Sequence, residues 1–345
     1  MTGPVLVVGA GISGLACARV LTDAGLDVRV LDRGHLPGGR LMGRRVESLV
    51  DGETRERVVD IGASYFTAQD PDFAELVAGW KHRGLAREWT DSIAVIGGRA
   101  VDGARLGDER RQGPVRWAAT RGLRSLAADL VAPPDREPLT LEREHDVPGV
   151  AVGPDGPSVE GVEAAAVVLA MPDPQAADLL PRMVATRLDV SARWNWRPCV
   201  SVYAGWSEAW WPEFGAAFVN DNPQLVFVAD DGDRRGDGAP VLTAHVAPDE
   251  SAAHLDDPRA VVPATLAELG PLLAGIVTPR PDWARAHRWS LAEPLRQHAD
   301  ALFGWDEESR IGVCGDAWGE RSKVETAWVS GHRLGRHLLG QLAVG

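Results

Sequence analysis

The feature that most restricts the fold is a glycine-rich turn near the start of the chain. A short apolar run, Val5 to Val8, is typical of a strand buried on both faces, and it leads into Gly9-Ala10-Gly11-Ile12-Ser13-Gly14. A helical pattern follows, and a second strand pattern ends at Asp32, 18 residues after Gly14. Gly9 permits the tight turn, Gly11 lets the backbone approach a diphosphate, and Gly14 lets the helix pack on the strand. The pattern predicts a dinucleotide held at the helix N-terminus, with Asp32 on a ribose; the alternative is a glycine-rich turn in an unrelated α/β domain.

A second glycine pair indicates which dinucleotide is bound. Pro37-Gly38-Gly39-Arg40 follows closely after Asp32. In NAD-binding domains this stretch usually leads into another helix, whereas Gly-Gly-Arg at this position is similar to the second FAD motif of amine oxidases and desaturases. The two glycines bring the chain near the diphosphate, where Arg40 can pair with it. The motif therefore favours FAD; the alternative is a surface turn with a solvated arginine.

Two later segments agree with a flavin site. The run 58–67 alternates like a strand and enters a bend at Gly62-Ala63, which in this group of flavoproteins lies beside the flavin ring. Near the C-terminus a strand pattern ends in Gly315-Asp316, and a helical stripe covers 326–342. We expect Asp316 at the ribityl chain or at a water on the diphosphate, and the amides near Thr326 and Ala327 at the flavin. The positive end of that helix would stabilise an anionic reduced flavin.

The remaining periodicity predicts an α/β protein with two domains. The first is a discontinuous Rossmann-like FAD-binding domain of p-hydroxybenzoate-hydroxylase-like topology, and the second is a smaller α+β substrate domain with an antiparallel sheet. We expect a hairpin over 139–152 and a solvated hairpin tip over 230–238. The FAD-binding domain is placed at 1–85, 112–190 and 296–345, and the substrate domain at 86–111 and 191–295.

Charge and composition restrict the partners. The 345 residues carry a formal net charge of −13 and a sequence pI near 5.2, which makes nucleic acid and anionic membranes poor partners. Cys17, Cys199 and Cys314 are far apart and next to apolar residues, which favours free thiols in a reducing cytoplasm. The N-terminus shows no basic region or cleavage site, and the run 5–20 is too short to span a bilayer. We expect a cytoplasmic monomer or homodimer without a metal site.

These motifs together resemble the renalase-like branch of the flavin amine oxidase superfamily. The most specific block is Gly62-Ala63-Ser64-Tyr65-Phe66-Thr67-Ala68; His287-Arg288-Trp289 and Val324-Glu325 agree with it. The resemblance implies non-covalent FAD and O2 as electron acceptor. It also implies a small-molecule hydride donor, an isomeric dihydronicotinamide dinucleotide in studied members, with hydrogen peroxide as by-product. Ile61, Ser64 and Leu291 depart from the usual residues of the branch near the expected pocket, which bears on the choice of substrate.

The candidate site residues form two groups. His287, Trp289 and His245 are candidates for lining the catalytic pocket, although a lone histidine is more often structural. Trp194, Trp196, Trp210 and Trp211 are weaker candidates for an apolar slot over the flavin, and Arg288 for attracting an anionic substrate or pairing with an acid. The residues expected at the FAD are Gly9, Gly11, Ile12, Ser13, Gly14, Asp32, Arg33, Gly39, Arg40, Gly62, Ala63, Ser64, Tyr65, Gly315, Asp316, Val324, Glu325, Thr326 and Ala327.

Three functions remain open from the sequence. The first is a renalase-like oxidase, in which a substrate that is already a hydride donor needs no strong base. The second is a flavin amine oxidase or desaturase acting on a small biosynthetic metabolite. The third is a non-catalytic FAD-binding protein. The sequence offers no persuasive Ser/His/Asp arrangement or metal cluster, which suits hydride transfer.

Overall fold

Strands and helices alternate along the chain, as the apolar periodicity predicts. A computed structural model describes residues 3–50, 53–99, 102–107, 109–190 and 195–343. The strands are β1 (Val5–Val8), β2 (Val28–Asp32), β3 (Gly43–Val50), β4 (Glu53–Asp60), β5 (Ala86–Gly97), β6 (Arg110–Ala119), β7 (Thr140–Arg143), β8 (Val150–Gly153), β9 (Gly156–Val159), β10 (Val162–Glu163), β11 (Ala166–Leu169), β12 (Trp196–Gly205), β13 (Ala216–Asn220), β14 (Leu225–Asp230), β15 (Val241–Val246), β16 (Trp283–Pro294), β17 (Gly304–Asp306) and β18 (Ile311–Val313). The helices are α1 (Ile12–Asp23), α2 (Pro71–His82), α3 (Arg124–Val131), α4 (Asp173–Leu179), α5 (Arg182–Arg187), α6 (Asp231–Arg235), α7 (Pro248–Ala253), α8 (Val262–Ala274) and α9 (Val324–Ala343), with 3-10 turns at Gly39–Leu41 and Pro258–Val261.

The first sheet presents the glycine-rich turn at its centre. Its described strands lie in the order β17-β18-β11-β1-β2-β7, and all neighbours are parallel except β17 and β18. Helices α1 and α9 pack so closely that only glycine fits at position 331, since a Cβ there would overlap the carbonyl oxygen of Ser13. This contact places Gly331, seven residues after the first residue of α9, beside the first turn of α1.

The second sheet covers the same region from the other side. Its described strands lie in the order β16-β12-β15-β14-β13-β5-β6, antiparallel except for the β13–β5 pair. Alternate residues of β12 separate the two faces. Tyr203 packs with Ile61, beside the bend near the first sheet, whereas Ala204 joins the core that includes Leu269 of α8. The α/β fold with an additional sheet domain is therefore confirmed. The domain boundaries stay a prediction, and β6 runs to Ala119, across the boundary placed at 111.

The hairpin expected over 139–152 is wrong. β7 pairs in parallel with β2, Val30 opposite Leu141, and so becomes the edge of the first sheet. β8 pairs instead with β9, in a separate sheet with β10. Sequence alternation identified strands here, but their partners depend on which sheet edge the preceding helix α3 leaves open.

The solvated hairpin tip expected over 230–238 is also wrong. The segment forms the short helix α6, which Asp230 caps by accepting a hydrogen bond from the amide of Asp233 at 2.9 Å. Asp231 is 0% exposed and Arg234 is 1% exposed. Their charges are tolerated inside the protein because oppositely charged residues of β4 face them. The sequence of the segment itself does not reveal these distant partners.

The tryptophans expected in an apolar slot are dispersed. Trp210 and Trp211 pack edge-to-face against each other and against Trp206 in the core beneath the far face of the second sheet. Trp196 is buried in the core beside α4 and α5, with its ring centroid 5.4 Å from the guanidinium carbon of Arg40, and Trp194 lies outside the described residues. Within the described ranges, every helix falls short of the length and apolar content that a bilayer crossing requires.

Candidate functional site

The N-terminus of α1 forms an open cradle of backbone amides. Gly11, the N-cap, is extended (φ −71°, ψ 172°), and no side chain caps the helix. Ile12, Ser13 and Gly14 are buried, yet a Cβ on Gly11 would meet no atom within 4 Å. Buried helix-terminal amides require a partner, and the open space in front of them suits an anion such as a diphosphate. The predicted phosphate-binding turn therefore has the shape that a dinucleotide requires.

The flanking glycines make this turn possible. Gly9 has φ +109°, and a Cβ there would lie 2.5 Å from the carbonyl oxygen of Ala170. A Cβ on Gly14 would overlap the carbonyl oxygen of Gly9. Only glycine accommodates both contacts, which hold the helix start against β1 and β11. Gly9 and Gly14 therefore shape the turn, whereas Gly11 leaves its space free.

Asp32 stands at the end of β2 and faces the same turn. Its Oδ2 accepts from the amide of Ala10 at 2.5 Å, and its Oδ1 accepts from the amide of Gly34 at 2.6 Å. Each carboxylate oxygen retains a second lone pair for a ribose hydroxyl. Arg33 follows on an exposed position. Contact of Asp32 and Arg33 with the nucleotide stays a prediction.

The second glycine motif lies directly opposite the first. Gly38 and Gly39 have φ of +119° and +51°, and a Cβ on Gly39 would lie 3.5 Å from the Cα of Gly11. Arg40 then turns toward the C-terminal motif: its Nη1 donates to Oδ2 of Asp316 at 2.9 Å, and its Nη2 donates to Oδ1. Arg40 and Asp316 were expected to contact the cofactor separately, whereas the structure joins them as a bidentate pair between the two motifs.

The bend at Gly62 to Tyr65 runs beside this pair. The amide of Ala63 donates to the carbonyl oxygen of Arg40 at 3.0 Å, and a Cβ on Gly62 would overlap that same oxygen. The hydroxyl of Ser64 is buried without a hydrogen-bond partner among the described residues. Tyr65 packs toward the second sheet, with its ring centroid 6.2 Å from that of Phe227. The bend thus lies between the glycine motifs and the second sheet, where the flavin ring is expected.

The three catalytic candidates lie on the face of the second sheet that looks toward this bend. His287, Ser201 and His245 are directly paired across β16, β12 and β15. Trp289 donates from its indole nitrogen to the carbonyl oxygen of Ile61 at 2.8 Å, and its ring centroid lies 4.7 Å from that of His287. The fold therefore brings into one row residues that lie up to 86 positions apart in the sequence, from Ser201 to His287.

Both histidines in this row are neutral at physiological pH. Burial, helped by the Arg234 guanidinium, lowers the pKa of His245 to about 4, and the backbone of Gly62 offsets part of that lowering. Burial lowers the pKa of His287 to about 4 as well, assisted by Arg44 and Arg288. The face therefore presents neutral polar groups and aromatic rings, together with the buried hydroxyl of Ser201, which has no hydrogen-bond partner among the described residues.

The start of α9 closes the site. The amide of Gly315 donates to the hydroxyl of Ser330 at 3.0 Å, which fixes the loop before the helix. Glu325 accepts hydrogen bonds from the hydroxyl of Thr67 at 2.9 Å and from the amide of Asp70 at 2.7 Å. Its carboxylate therefore anchors the segment after Tyr65. Val324, Thr326 and Ala327 share the first turn of the helix, and their contact with FAD stays a prediction.

Sequence reasoning missed the buried charges that hold the bend from behind. Arg234 donates to the carbonyl oxygen of Ser64 at 3.0 Å and pairs with Asp231. Arg57 donates to Asp231 at 2.6 Å, and Arg235 reaches Asp60 at 3.3 Å. Although burial opposes it, Arg234, Arg235 and Arg57 lower the pKa of Asp231 to about 2. The Asp-x-x-Asp spacing of a helix cap, followed by two arginines and a glycine, could have predicted the helix α6 but not the burial of its charges.

Comparison with known proteins agrees with this geometry. Residues 7–80 match the NAD(P)-binding Rossmann-like domain family, and residues 100–339 match the family described as flavin containing amine oxidoreductase. Putrescine oxidase bound to putrescine covers 99% of both chains at 16% identity, with a TM-score of 0.71. A provisionally assigned protoporphyrinogen oxidase from Exiguobacterium sp. 255-15 gives the same coverage, identity and score. At this identity the likeness shows a shared fold.

Curated relatives match only a short part of the chain. Hydroxyneurosporene desaturase of Rubrivivax gelatinosus is 46% identical over 66 residues, which are 19% of this chain and 11% of that protein. Lysine-specific histone demethylase 1 homolog 2 of Arabidopsis thaliana is 42% identical over 65 residues, 19% of this chain and 8% of that protein. The chain thus spans about a tenth of the length of these relatives. The second family match covers more than half of the chain, and the expectations of FAD as cofactor and of an FAD-dependent oxidoreductase are confirmed. The chain belongs to the family of flavin containing amine oxidoreductases.

Proposed function

We propose that this chain is a renalase-like oxidase, which takes hydride from an isomeric dihydronicotinamide dinucleotide and delivers the electrons to O2. The observation that carries the proposal is the neutrality of the sheet face opposite Gly62. His245 and His287 both have a pKa of about 4, so neither is a strong base at neutral pH. A substrate that already donates hydride requires no proton removal by the protein.

The protein's part in this reaction is to bind and orient. The amides at the start of α1 hold the cofactor diphosphate, and the Arg40–Asp316 pair spaces the two motifs around it. Trp289, fixed by its hydrogen bond to Ile61, provides an apolar surface beside the bend. Neutral His245 and His287 accept or donate single hydrogen bonds to a substrate without adding charge. Positioning of the donor carbon supplies much of the rate.

When bound, FAD supplies the hydride acceptor and the route to O2. The donor loses one hydride, that is, one proton with two electrons. O2 receives these two electrons and that proton, and a further proton from solvent completes hydrogen peroxide. The dihydropyridine is oxidised to the aromatic pyridinium, and O2 is reduced.

A second candidate is oxidation of an amine or desaturation of a small metabolite. The family match and the fold shared with putrescine oxidase support an amine, and the matched segment of hydroxyneurosporene desaturase supports desaturation. An amine must lose its proton before hydride transfer, so its rate should rise with pH up to the amine pKa. A dihydropyridine carries no such proton, which makes the pH profile a test between them.

The experiment is anaerobic mixing of FAD-loaded protein with isomeric dihydro-NAD(P), ordinary NAD(P)H and a panel of amines, followed by the visible flavin absorbance. We expect rapid bleaching by an isomeric dihydronicotinamide, and stoichiometric hydrogen peroxide after air is admitted. Bleaching by an amine alone would replace the first proposal with the second. Failure of every donor to bleach a fully loaded protein would refute both proposals.

A further inference from the structure

We propose that Arg44, Arg259 and Arg285 form a binding site for an anionic group at the far end of the substrate. The inference rests on the proposed function and specifies its substrate class: an elongated donor that carries a phosphate or carboxylate. The site is a groove of about 620 Å³ along β16, the outer strand of the described second sheet. Its lining is Arg44, Tyr203, Arg259, Val262, Pro263, Ala284, Arg285, Ala286 and His287.

The charge of this groove is opposite to that of the whole protein. The chain has a formal net charge of −13, yet among the described residues three arginines and no carboxylate line the groove. Across the described ranges, no ion pair joins Arg44, Arg259 or Arg285 to an acidic side chain. Neighbouring arginines elsewhere are paired: Arg45, for example, donates to Glu56 at 2.9 Å. Three exposed guanidinium groups that line one groove without an acidic partner attract an external anion.

The arginines also act on the groups between them and the flavin side. Burial raises the pKa of Tyr203, and Arg44 and Arg285 both oppose this rise. Arg44 also contributes to the lowered pKa of His287. Positive potential therefore extends over the part of the groove that faces the catalytic candidates, and it favours an anion while repelling an organic cation.

The groove is continuous with the candidate site. Arg285, His287 and Trp289 are alternate residues of β16 and point to the same face. Four residues of strand span about 13 Å, so an anion at Arg285 lies about that far from Trp289 and the bend it contacts. A substrate whose reacting ring lies at the bend and whose anionic tail lies in the groove therefore needs an extended shape. A short diamine fits neither the length nor the charge.

The binding test uses FAD-loaded protein and titration calorimetry with two probes, inorganic pyrophosphate and glutarate. We expect at least one probe to bind, with affinity falling as ionic strength rises. Arg285→Gln and Arg44→Gln should each weaken it about 10- to 100-fold, the range for loss of a hydrogen bond to a charged group. Tighter binding of pyrophosphate assigns a phosphate, and tighter binding of glutarate assigns a carboxylate.

Arg288→Gln is the matched control. Arg288 neighbours the row but is outside the groove lining, and its Nη1 donates to the carbonyl oxygen of Leu255 at 2.7 Å. It should change probe affinity less than about twofold, within the effect of a screened surface charge. Arg285→Lys should restore part of the binding. Absence of binding by both probes, or equal weakening in Arg288→Gln, would refute the anion site.

A kinetic comparison separates this inference from the proposed function. Anaerobic flavin reduction is measured with a phosphate-bearing dihydronicotinamide and with a neutral N-alkyl dihydronicotinamide. We expect Arg285→Gln to raise the half-saturating concentration of the phosphate-bearing donor about tenfold or more, with its limiting rate and the neutral donor unaffected. If neither donor reduces the wild-type flavin, the proposed function fails while the calorimetry still decides the anion site. An equal loss for both donors would refute the tail-binding role.

Discussion

Replacing Gly11 by valine should remove FAD binding without unfolding the protein. Gly11 has φ −71° and ψ 172°, which any L-residue adopts, and the space around its Cβ is open to 4 Å. The added Cβ therefore meets no atom of the described residues within 4 Å, and we expect the free energy of unfolding to change by less than about 0.5 kcal/mol. The valine methyl groups instead occupy the space in which the diphosphate approaches the helix start.

The expected loss of affinity follows from the hydrogen bonds that the variant blocks. A hydrogen bond to a charged group contributes about 1.5–3 kcal/mol. Two blocked amide–phosphate bonds therefore cost about 3–6 kcal/mol, or roughly 10²- to 10⁴-fold in the dissociation constant. The dissociation constant of FAD is measured by flavin fluorescence during titration of apoprotein, and stability by thermal unfolding of the same apoprotein.

Two control substitutions make the result specific. Gly97→Val lies at the exposed end of β5, where a Cβ also meets nothing within 4 Å, and should alter neither measurement. Gly14→Ala places a Cβ against the carbonyl oxygen of Gly9 and should lower the melting temperature. Unchanged FAD affinity in Gly11→Val would refute the cradle, and a melting temperature lowered as in Gly14→Ala would refute the reasoning from open space.

Three further substitutions test other parts of the site. Asp231→Asn leaves buried guanidinium groups without their anion and should reduce the free energy of unfolding by about 3–5 kcal/mol in denaturant titration. The control is Glu56→Gln, in an exposed ion pair, which should cost less than about 1 kcal/mol. Equal effects of the two substitutions would contradict the buried network. The pKa of His245 is about 4 in the folded protein against an ordinary value of 6.5, so between these values the unfolded state binds more protons and stability decreases as pH falls. His245→Asn should flatten that decrease in unfolding measured from pH 7 to pH 4, and an unchanged slope would exclude this histidine as its source. Arg40→Met and Asp316→Asn should each weaken FAD binding, and the double variant should lose about 1–3 kcal/mol less than the sum; additive losses would show that the pair does not act as a unit.

Local patterns predicted the cofactor cradle well because its geometry is local. Gly9, Gly11 and Gly14 lie within six residues: Gly14 is required by its contact with Gly9, and Gly11 leaves open the space in front of the helix start. The apolar run Val5 to Val8 and the strand pattern that ends at Asp32 likewise predicted β1 and β2 from neighbouring residues alone. Such features depend on backbone conformation and on neighbours close in sequence.

Pairing between distant segments was where prediction failed. The segment 139–152 has strand character, yet β7 joins β2 because that edge is open in the folded protein. The charged run at α6 was expected in solvent, but Arg234 and Asp231 are buried. Their burial depends on contacts with Arg57 and Asp60, which lie more than 170 residues away in the sequence and could not be foreseen from the segment itself. Neither outcome is encoded in the hydropathy of the segment itself.

The amino-acid sequence alone determined the glycine-rich turn and the helix after it, since both form from adjacent residues, and it indicated FAD as the cofactor. Only the tertiary structure decided that Arg40 pairs with Asp316 and that His287 and His245 flank Ser201. It also decided that the groove beside them is lined by arginines that have no acidic partner among the described residues. The physical reason is that charge pairing and burial depend on distances through space, which the order of residues along the chain does not specify.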